Sequence, residues 1–129
     1  MNWRERLIAA ETQRSENSAY WARMVPALLR EHLAPAAEEF CKVVGAHVTA
    51  RSQVLPAENK VVLSFDDWHL GEWTMTVQLQ LSSQEDAHVE IVCSGSPPIR
   101  RTILRDLPNP TETFLEWMTD AYVTRVGPV

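Results

Sequence analysis

The side chains with the most obvious capacity for chemistry lie in one short connector. Four ligand-type residues fall within seven positions, next to Gly71: Asp66, Asp67, His69 and Glu72. A metal site needs ligands that converge from fixed directions, and this spacing matches neither a calcium loop nor a zinc motif. A polar hairpin turn, in which aspartates accept backbone hydrogen bonds, accounts for the same residues. We therefore expect a tight turn here and no metal site.

The cysteines and histidines do not form a recognisable catalytic pair. A nucleophilic cysteine needs a base close by, but His88 and Cys93 are separated by five positions on one predicted strand and so face opposite sides. Cys41 follows Phe40 in an apolar segment, which favours a small buried hydrophobe. His32 lies on the apolar face of a predicted helix, where a hydrogen-bonded, semi-buried role is favoured over a general base. We expect no catalytic residue and two free, slow-reacting thiols.

The basic residues form one small cluster, Arg100, Arg101 and Arg105. In a strand, Arg100 and Arg101 point to opposite faces, so the cluster is divided across the sheet. A divided patch of this size makes a poor phosphate track. The net charge of −5 also argues against a general affinity for nucleic acid or anionic lipid. We expect a salt-bridged edge strand that resists unwanted pairing, and no nucleic-acid partner.

Motifs of cofactor-dependent and hydrolytic enzymes are missing from the sequence. It contains no glycine-rich phosphate loop, no Gly-x-Ser-x-Gly elbow and no His-Glu-x-x-His helix. The segment Ser94-Gly95-Ser96 is too short to represent any of these motifs. We therefore expect no cofactor.

Length and composition indicate that residues 1–129 form one ordinary folded domain. The chain is 45% hydrophobic and 22% charged, which suffices for a single core without disulfides or metals. The longest uncharged apolar run, residues 24–29, is far short of the roughly 20 residues of a membrane span. Two cysteines and an N-terminal segment without an apolar signal region predict a cytoplasmic protein with no membrane partner.

Strict alternation of side chains identifies the centre of a sheet. From residue 72 to residue 81, Trp73, Met75, Val77, Leu79 and Leu81 alternate with threonine and glutamine, which is typical of a half-buried antiparallel strand. The connectors between such segments are too short for a crossover helix, so neighbouring strands are predicted to be antiparallel. Five strands are expected, at residues 47–55, 60–66, 72–81, 87–93 and 99–104.

Residues 3–44 carry a helical pattern instead. Apolar side chains recur at three and four positions from residue 21 to residue 43, which indicates a wide buried face. Residues 15–18 are Ser-Glu-Asn-Ser, and their preference for caps and turns predicts an interruption. Pro26 and Pro35 predict either kinks or separate helices with proline in the first turn.

The ends of the helical segments also have sequence signals. Gly45 is a plausible C-cap for the first helical region. A last helix is predicted from Asn109 as N-cap, with Pro110 at its first position and Glu112 at its third, and Gly127-Pro128 stops it. The expected fold is α+β: N-terminal helices, a five-stranded antiparallel meander and a C-terminal helix, with the helices packed on one sheet face.

This order of elements is broadly similar to known arrangements. A long helix followed by an antiparallel meander resembles the cystatin-like and NTF2-like cones, and a helix-flanked twisted sheet resembles type III secretion chaperones. The cone resemblance implies a pocket between sheet and helices, in which the groups to examine would be His32, Asp66, Asp67 and His69. A fold resemblance alone does not determine a function.

Five tryptophans are many for a chain of this size. Trp73 and Trp117 fit the core pattern, and Trp21 fits the helical one. Trp3 and Trp68 lie near a terminus and in a turn, where two interpretations stay open: each packs back onto its own element, or each belongs to a binding surface. The candidate binding residues are Trp3, Leu7, Trp68 and His69.

These observations favour a non-enzymatic protein-interaction module of the adaptor, chaperone-like or inhibitor type. Trp3, Leu7 and Ile8 are too apolar to leave in water, and the predicted interruption at residues 15–18 separates them from the main helix. A two-fold partner would bury them, so we expect a homodimer, with a further protein partner possible. The alternative is a small-molecule-binding protein or minor enzyme with a cone pocket.

Overall fold

The structure of the protein, a computed structural model, describes residues 2–127 and has the expected α+β architecture. A long N-terminal helical region is followed by five strands and a C-terminal helix. The elements are α1 (Trp3–Leu28), a π-helical turn (Leu29–Leu33), α2 (Ala34–Val44), β1 (Thr49–Leu55), a 3₁₀ turn (Pro56–Glu58), β2 (Lys60–Asp67), β3 (Gly71–Gln80), β4 (Ala87–Cys93), β5 (Ile99–Ile103) and α3 (Pro110–Val126).

The five strands form one antiparallel meander in the order β1-β2-β3-β4-β5. The short connectors fix this order, because each strand can only turn back beside the one before it. Val77 at the middle of β3 is paired with Val61 on β2 and Ile91 on β4. The predicted strands are confirmed, with bounds that differ from the observed ones by at most two residues.

The helices cover one face of this sheet. Alternate side chains of β2, β3 and β4 point into that layer, so Val61, Val77 and Ile91 are each at most 1% exposed. On the opposite face, Thr74 is exposed and Thr76 is half-buried. The predicted arrangement of two layers is therefore confirmed. Leu81, which was expected on the buried face with Val77, is an exception. Strand β3 ends at Gln80, and Leu81 is 58% exposed.

Helix α1 runs unbroken from Trp3 to Leu28, so the predicted interruption at residues 15–18 is wrong. The side chain of Asn17 is buried and donates a hydrogen bond to the Ser83 carbonyl at 3.2 Å. Its Oδ1 atom accepts hydrogen bonds from Gln13 and Arg105 at 3.1 and 2.7 Å. Because these contacts engage the amide group, it does not compete for the helix backbone.

Both prolines lie within the helical region. Pro26 is inside α1 without ending it, and Pro35 occupies the first turn of α2. Between them the chain widens into the π-helical turn, whose bonds include Ala34 N–H to the Leu29 carbonyl. Proline cannot donate a helical hydrogen bond, and a wide turn is one way in which the backbone accommodates the loss. The prediction of a new helix with proline in its first turn is confirmed for Pro35.

The predicted helix ends are confirmed in position, but one cap is made differently. Gly45 is the C-cap of α2. Asn109 precedes Pro110 at the start of α3 but has a left-handed backbone, with φ of 48°, and its side chain makes no capping bond. A side-chain cap requires an extended backbone at that position. Gly127 ends α3, and Pro128 lies outside the described residues.

Within residues 2–127, none of the helices has the length and apolar character needed to cross a membrane.

Candidate functional site

The connector between β2 and β3 is a turn organised by Asp67. Its Oδ1 atom accepts hydrogen bonds from the backbone N–H groups of His69 and Leu70 at 2.8 and 3.2 Å. Gly71 then adopts a positive φ of 76°, which glycine tolerates best. The predicted hairpin turn is confirmed. Over residues 2–127, no three His, Cys, Asp or Glu side chains are grouped so that they could hold a metal ion.

An aromatic cluster lies behind this turn, in the covered layer. The ring of Tyr122 on α3 packs against Phe65 and Trp73, at centroid distances of 5.5 and 5.6 Å. Burial, and secondarily the Asp67 carboxylate, raise the pKa of Tyr122 above its usual value. The guanidinium of Arg125 lies 5.3 Å from the Trp73 ring. The Trp73 indole N–H is buried without a hydrogen-bond partner among the described residues.

The four groups expected in a cone pocket are not brought together. The half-buried His32 has its Nδ1 atom 2.9 Å from the Thr111 hydroxyl, in the first turn of α3. Asp67 lies near Tyr122. Tyr122 is eleven residues after Thr111 in α3, so at the helical rise of 1.5 Å per residue about 16 Å separates the position of Asp67 from that of His32. The His69 ring lies beside the ring of the exposed Trp68, at a tilt of 44°. The prediction of a hydrogen-bonded, semi-buried His32 is confirmed.

The two cysteines are free and buried. Burial raises the pKa of Cys41, and it raises the pKa of Cys93 against an opposing effect of the Arg125 guanidinium. Strand β4 alternates without a bulge, so Cys93 faces the helices while His88 lies on the other side of the sheet. Both thiols are therefore held in the protonated form, which is the poor nucleophile.

The arginine cluster is divided, as predicted, and β5 is an edge strand. Arg100 donates to the Gln80 side chain at 2.8 Å, so the expected salt bridge is replaced by an amide contact within residues 2–127. Arg105 turns toward the helices, where it bonds to Asn17 and lies 4.0 Å from the Tyr20 ring. These contacts give the cluster separate structural roles.

Trp68 and His69 form an exposed tip at the β2–β3 turn. Trp68 is 86% exposed, and its ring lies 4.5 Å from the His69 ring at an angle of 44°. The interpretation that Trp68 packs back onto its own hairpin is therefore wrong. Its aromatic surface is free to contact another molecule.

Trp3 and Leu7 lie on a second exposed surface, the N-terminal arm, which we define as residues 3–16 of α1. Every residue of the arm is exposed, including Trp3 at 69%, Leu7 at 54% and Ile8 at 61%. The arm is about 21 Å long at 1.5 Å per residue. Trp3 therefore does not pack back onto the domain either.

The arm begins where α1 leaves the sheet. The Trp21 indole N–H donates to the Glu85 carbonyl at 3.0 Å, and Asn17 binds the Ser83 carbonyl. Both acceptors belong to the β3–β4 connector, whereas Trp68 follows β2 at the other end of β3. Because β3 has ten residues, the connector to which the base of the arm is bonded lies about 30 Å from the turn that carries Trp68.

The apolar face of the arm continues the face of α1 that packs on the core. At 3.6 residues per turn, Trp3, Leu7 and Ala10 lie in line with the buried Asn17 and Trp21. The expected separation of Trp3 and Leu7 from the main helix is thus wrong, since the helix presents one continuous face of which only the second half is covered.

A groove on the uncovered sheet face was not predicted from the sequence. It has a volume of about 410 Å³ and is lined mainly by polar residues of adjacent strands, together with Phe65 and Trp73. Arg51, Ser64 and Thr74 form one cross-strand row, and Asp66 and Glu72 belong to the next. The groove could be found only from the pairing register of the strands. The turn at residues 67–71 sets the register of β2 and β3, and this register places the polar residues of the two strands side by side. Alternation within one strand does not show it.

No family model, no curated protein and no solved structure matches this chain, so a function must be argued from its own residues.

Proposed function

We propose that this protein is a non-enzymatic protein-interaction module that forms a homodimer through its N-terminal arm. One observation carries the proposal: an unbroken helix extends past its own domain, and the exposed part bears the same apolar face as the buried part. Single exposed hydrophobes are ordinary, but an aligned set on a projecting helix is typical of an interaction surface.

The energetics of the arm support a partner. A helix of about fourteen residues without tertiary contacts is marginal in water. Burying a large apolar side chain stabilises an assembly by roughly 1.5–3 kcal/mol. Trp3 and Leu7 are more than half exposed, so most of this stabilisation is available to a partner.

The engagement of the reactive groups supports a non-enzymatic role. The Asp67 carboxylate is occupied by the turn and His32 by Thr111. The two buried thiols have raised pKa values and are suited to a reducing compartment, so we also propose a cytoplasmic location. Trp68 and His69 offer a separate surface for a further protein partner.

Light scattering coupled to size exclusion tests the proposal. We expect wild-type protein at micromolar concentration to have the mass of a dimer. Replacing Trp3→Ala together with Leu7→Ala should shift it to a monomer whose circular dichroism retains the sheet. Ile8→Ala is the matched control, because Ile8 is equally exposed but lies off the line of Trp3 and Leu7, and it should remain dimeric.

A wild type that is monomeric at all accessible concentrations would remove the homodimer. A double variant that unfolds would contradict the assignment of the arm as a surface outside the core.

A second candidate function, binding of a small polar molecule, is favoured by the groove on the uncovered face. Arg51 supplies a positive group there, while Asp66 and Glu72 supply negative ones, so a small zwitterion is the best matched class. Calorimetric titration with amino acids and short peptides would test this candidate. Binding that is abolished by Ser64→Phe, which fills the groove, would favour it over the interaction module, and heats equal to dilution would reject it.

A further inference from the structure

We infer that the occupant of the N-terminal arm is the arm of a second copy of this chain running antiparallel to it. This inference rests on the proposed function and specifies its partner and geometry. The line along which the two helices would meet consists of Trp3, Leu7, Ala10 and Arg14, spaced alternately by four and three residues. This is the spacing of two-helix seams.

A parallel arrangement is blocked by the domain itself. In a parallel pair, the partner helix would continue alongside the second half of α1. That space is occupied, because Trp21 and Val25 are at most 1% exposed and face the core. Asn17 and Trp21 are also bonded to the β3–β4 connector. An antiparallel partner instead runs away from the domain and places its own domain beyond Trp3.

The residues along the line fit the antiparallel direction. With the two-fold axis between Leu7 and Ala10, each Leu7 meets the partner's Ala10, so a large side chain packs against a small one. Trp3 then meets the partner's Arg14, and a guanidinium over an indole ring is attractive. A parallel pair in register would instead place the two Arg14 side chains against each other.

The flanking charges are also complementary in the antiparallel direction. Arg4 and Glu11 lie on the same flank of the line, about two turns apart. In an antiparallel two-fold pair, each flank meets the same flank of the partner, so Arg4 faces the partner's Glu11. Symmetry creates this contact twice. Within one chain Glu11 is paired with Arg14 at 3.5 Å, an exposed contact that can be exchanged at low energetic cost.

The tip of the arm would meet an apolar position on the partner. The partner's Trp3 lies opposite Arg14, one turn from Asn17, whose amide binds the Ser83 carbonyl. Leu81 is two residues from Ser83 and is 58% exposed beyond the end of β3. In this arrangement the two exposed apolar groups lie at the same end of the sheet.

Reversing the charge at either flanking position, and then mixing the two variant proteins, tests this geometry. Arg4→Glu alone places two carboxylates together at each flanking contact, and Glu11→Arg alone places two guanidinium groups together. Each variant should therefore dimerise at least roughly tenfold more weakly than wild type at low salt, where exposed charges are least screened. An equimolar mixture should recover dimers, because both contacts of the mixed dimer are attractive.

The control is a mixture of Arg4→Glu with Glu16→Arg. Glu16 lies on the back of the arm, so this pair has the same net charges as the test pair. Its mixed dimer has one repulsive contact, at the substituted Arg4, and one attractive contact, so mixing should increase the dimer fraction less than in the test pair. Sedimentation velocity measures the dimer fraction in each case. The expected result is a larger increase in dimer fraction on mixing, relative to the two separate variants, in the test pair than in the control pair.

Failure of the inference is distinguishable from failure of the proposed function. A wild-type dimer whose stability is unchanged by Arg4→Glu, or whose variants are not recovered by mixing, would overturn the antiparallel geometry and leave the homodimer in place. A monomeric wild type would overturn both.

Discussion

The Nη2 atom of Arg105 donates a hydrogen bond to the Oδ1 atom of Asn17 at 2.7 Å, which fastens the middle of α1 to the segment that follows β5. The same amide group binds the Ser83 carbonyl. Asn17 is one of the few buried polar residues, at 5% exposure. It marks the boundary between the part of α1 that belongs to the domain and the arm that leaves it.

Asn17→Ala should destabilise the domain by about 1–3 kcal/mol, because it leaves the Ser83 carbonyl and the Arg105 guanidinium without their partner. The loss occurs although alanine is the better helix former. Urea unfolding measures the free energy. Ser18→Ala, at an exposed neighbouring position, is the control and should change it by less than about 0.5 kcal/mol. Equal stability of the two variants would mean that the Asn17 contacts are not made in solution.

Val77→Asp should unfold the domain or destabilise it by several kcal/mol, because Val77 is 1% exposed and an aspartate there would be a buried charge. Thr76→Asp is the matched control, since it introduces the same charge one residue away on the uncovered face. Thermal unfolding should show a much smaller effect for Thr76→Asp. Similar damage from both changes would indicate that the second sheet face is also covered in solution.

Stability should decrease at alkaline pH. Burial raises the pKa of Cys41 and Cys93 above 9.0, and burial together with Asp67 raises that of Tyr122 above 10.0. Above about pH 9 the unfolded chain releases these protons first, so the folded state binds more protons and the free energy of unfolding decreases as pH rises. Below that pH the stabilisation that comes from these three protonated groups is fully present.

Urea unfolding between about pH 8 and about pH 10 measures this decrease. A variant with Cys41→Ala and Cys93→Ala should be less sensitive to pH over the same interval, because only Tyr122 remains of the three groups. The native thiols should also react slowly with a disulfide reagent and rapidly after unfolding. Identical pH profiles for wild type and variant, or fast reaction of native Cys93, would contradict the burial of the thiols.

Most of the sheet could be predicted because the sequence signals that specify it lie within each strand and its adjacent connectors. Alternation around Val77 identifies the buried face, and the short connectors leave only antiparallel neighbours. The continuity of α1 could not be predicted in this way. Residues 15–18 favour a turn locally, and the contacts that override this preference join Asn17 to residues 66 and 88 positions away. Tertiary contacts of this range are not visible in a helical pattern.

The candidate surfaces could be predicted only where the signal was local in the sequence. Trp3, Leu7, Trp68 and His69 stood out because their positions offered no nearby core, and the structure leaves both tryptophans exposed. The groove depends on the register of β1, β2 and β3, which brings Arg51 beside Ser64 and Thr74. No single strand of the sequence contains that arrangement.

Hydrogen exchange of the arm at different protein concentrations tests the central claim most directly, because it reads the proposed interface itself. We expect amides in residues 6–16 to be protected at high micromolar concentration and to exchange rapidly after dilution, since the arm is a marginal helix once it loses its partner. Amides of β3 should stay protected throughout. Rapid exchange of the arm even at the highest concentration, or protection that dilution does not change, would contradict the assignment of the arm as a dimer interface.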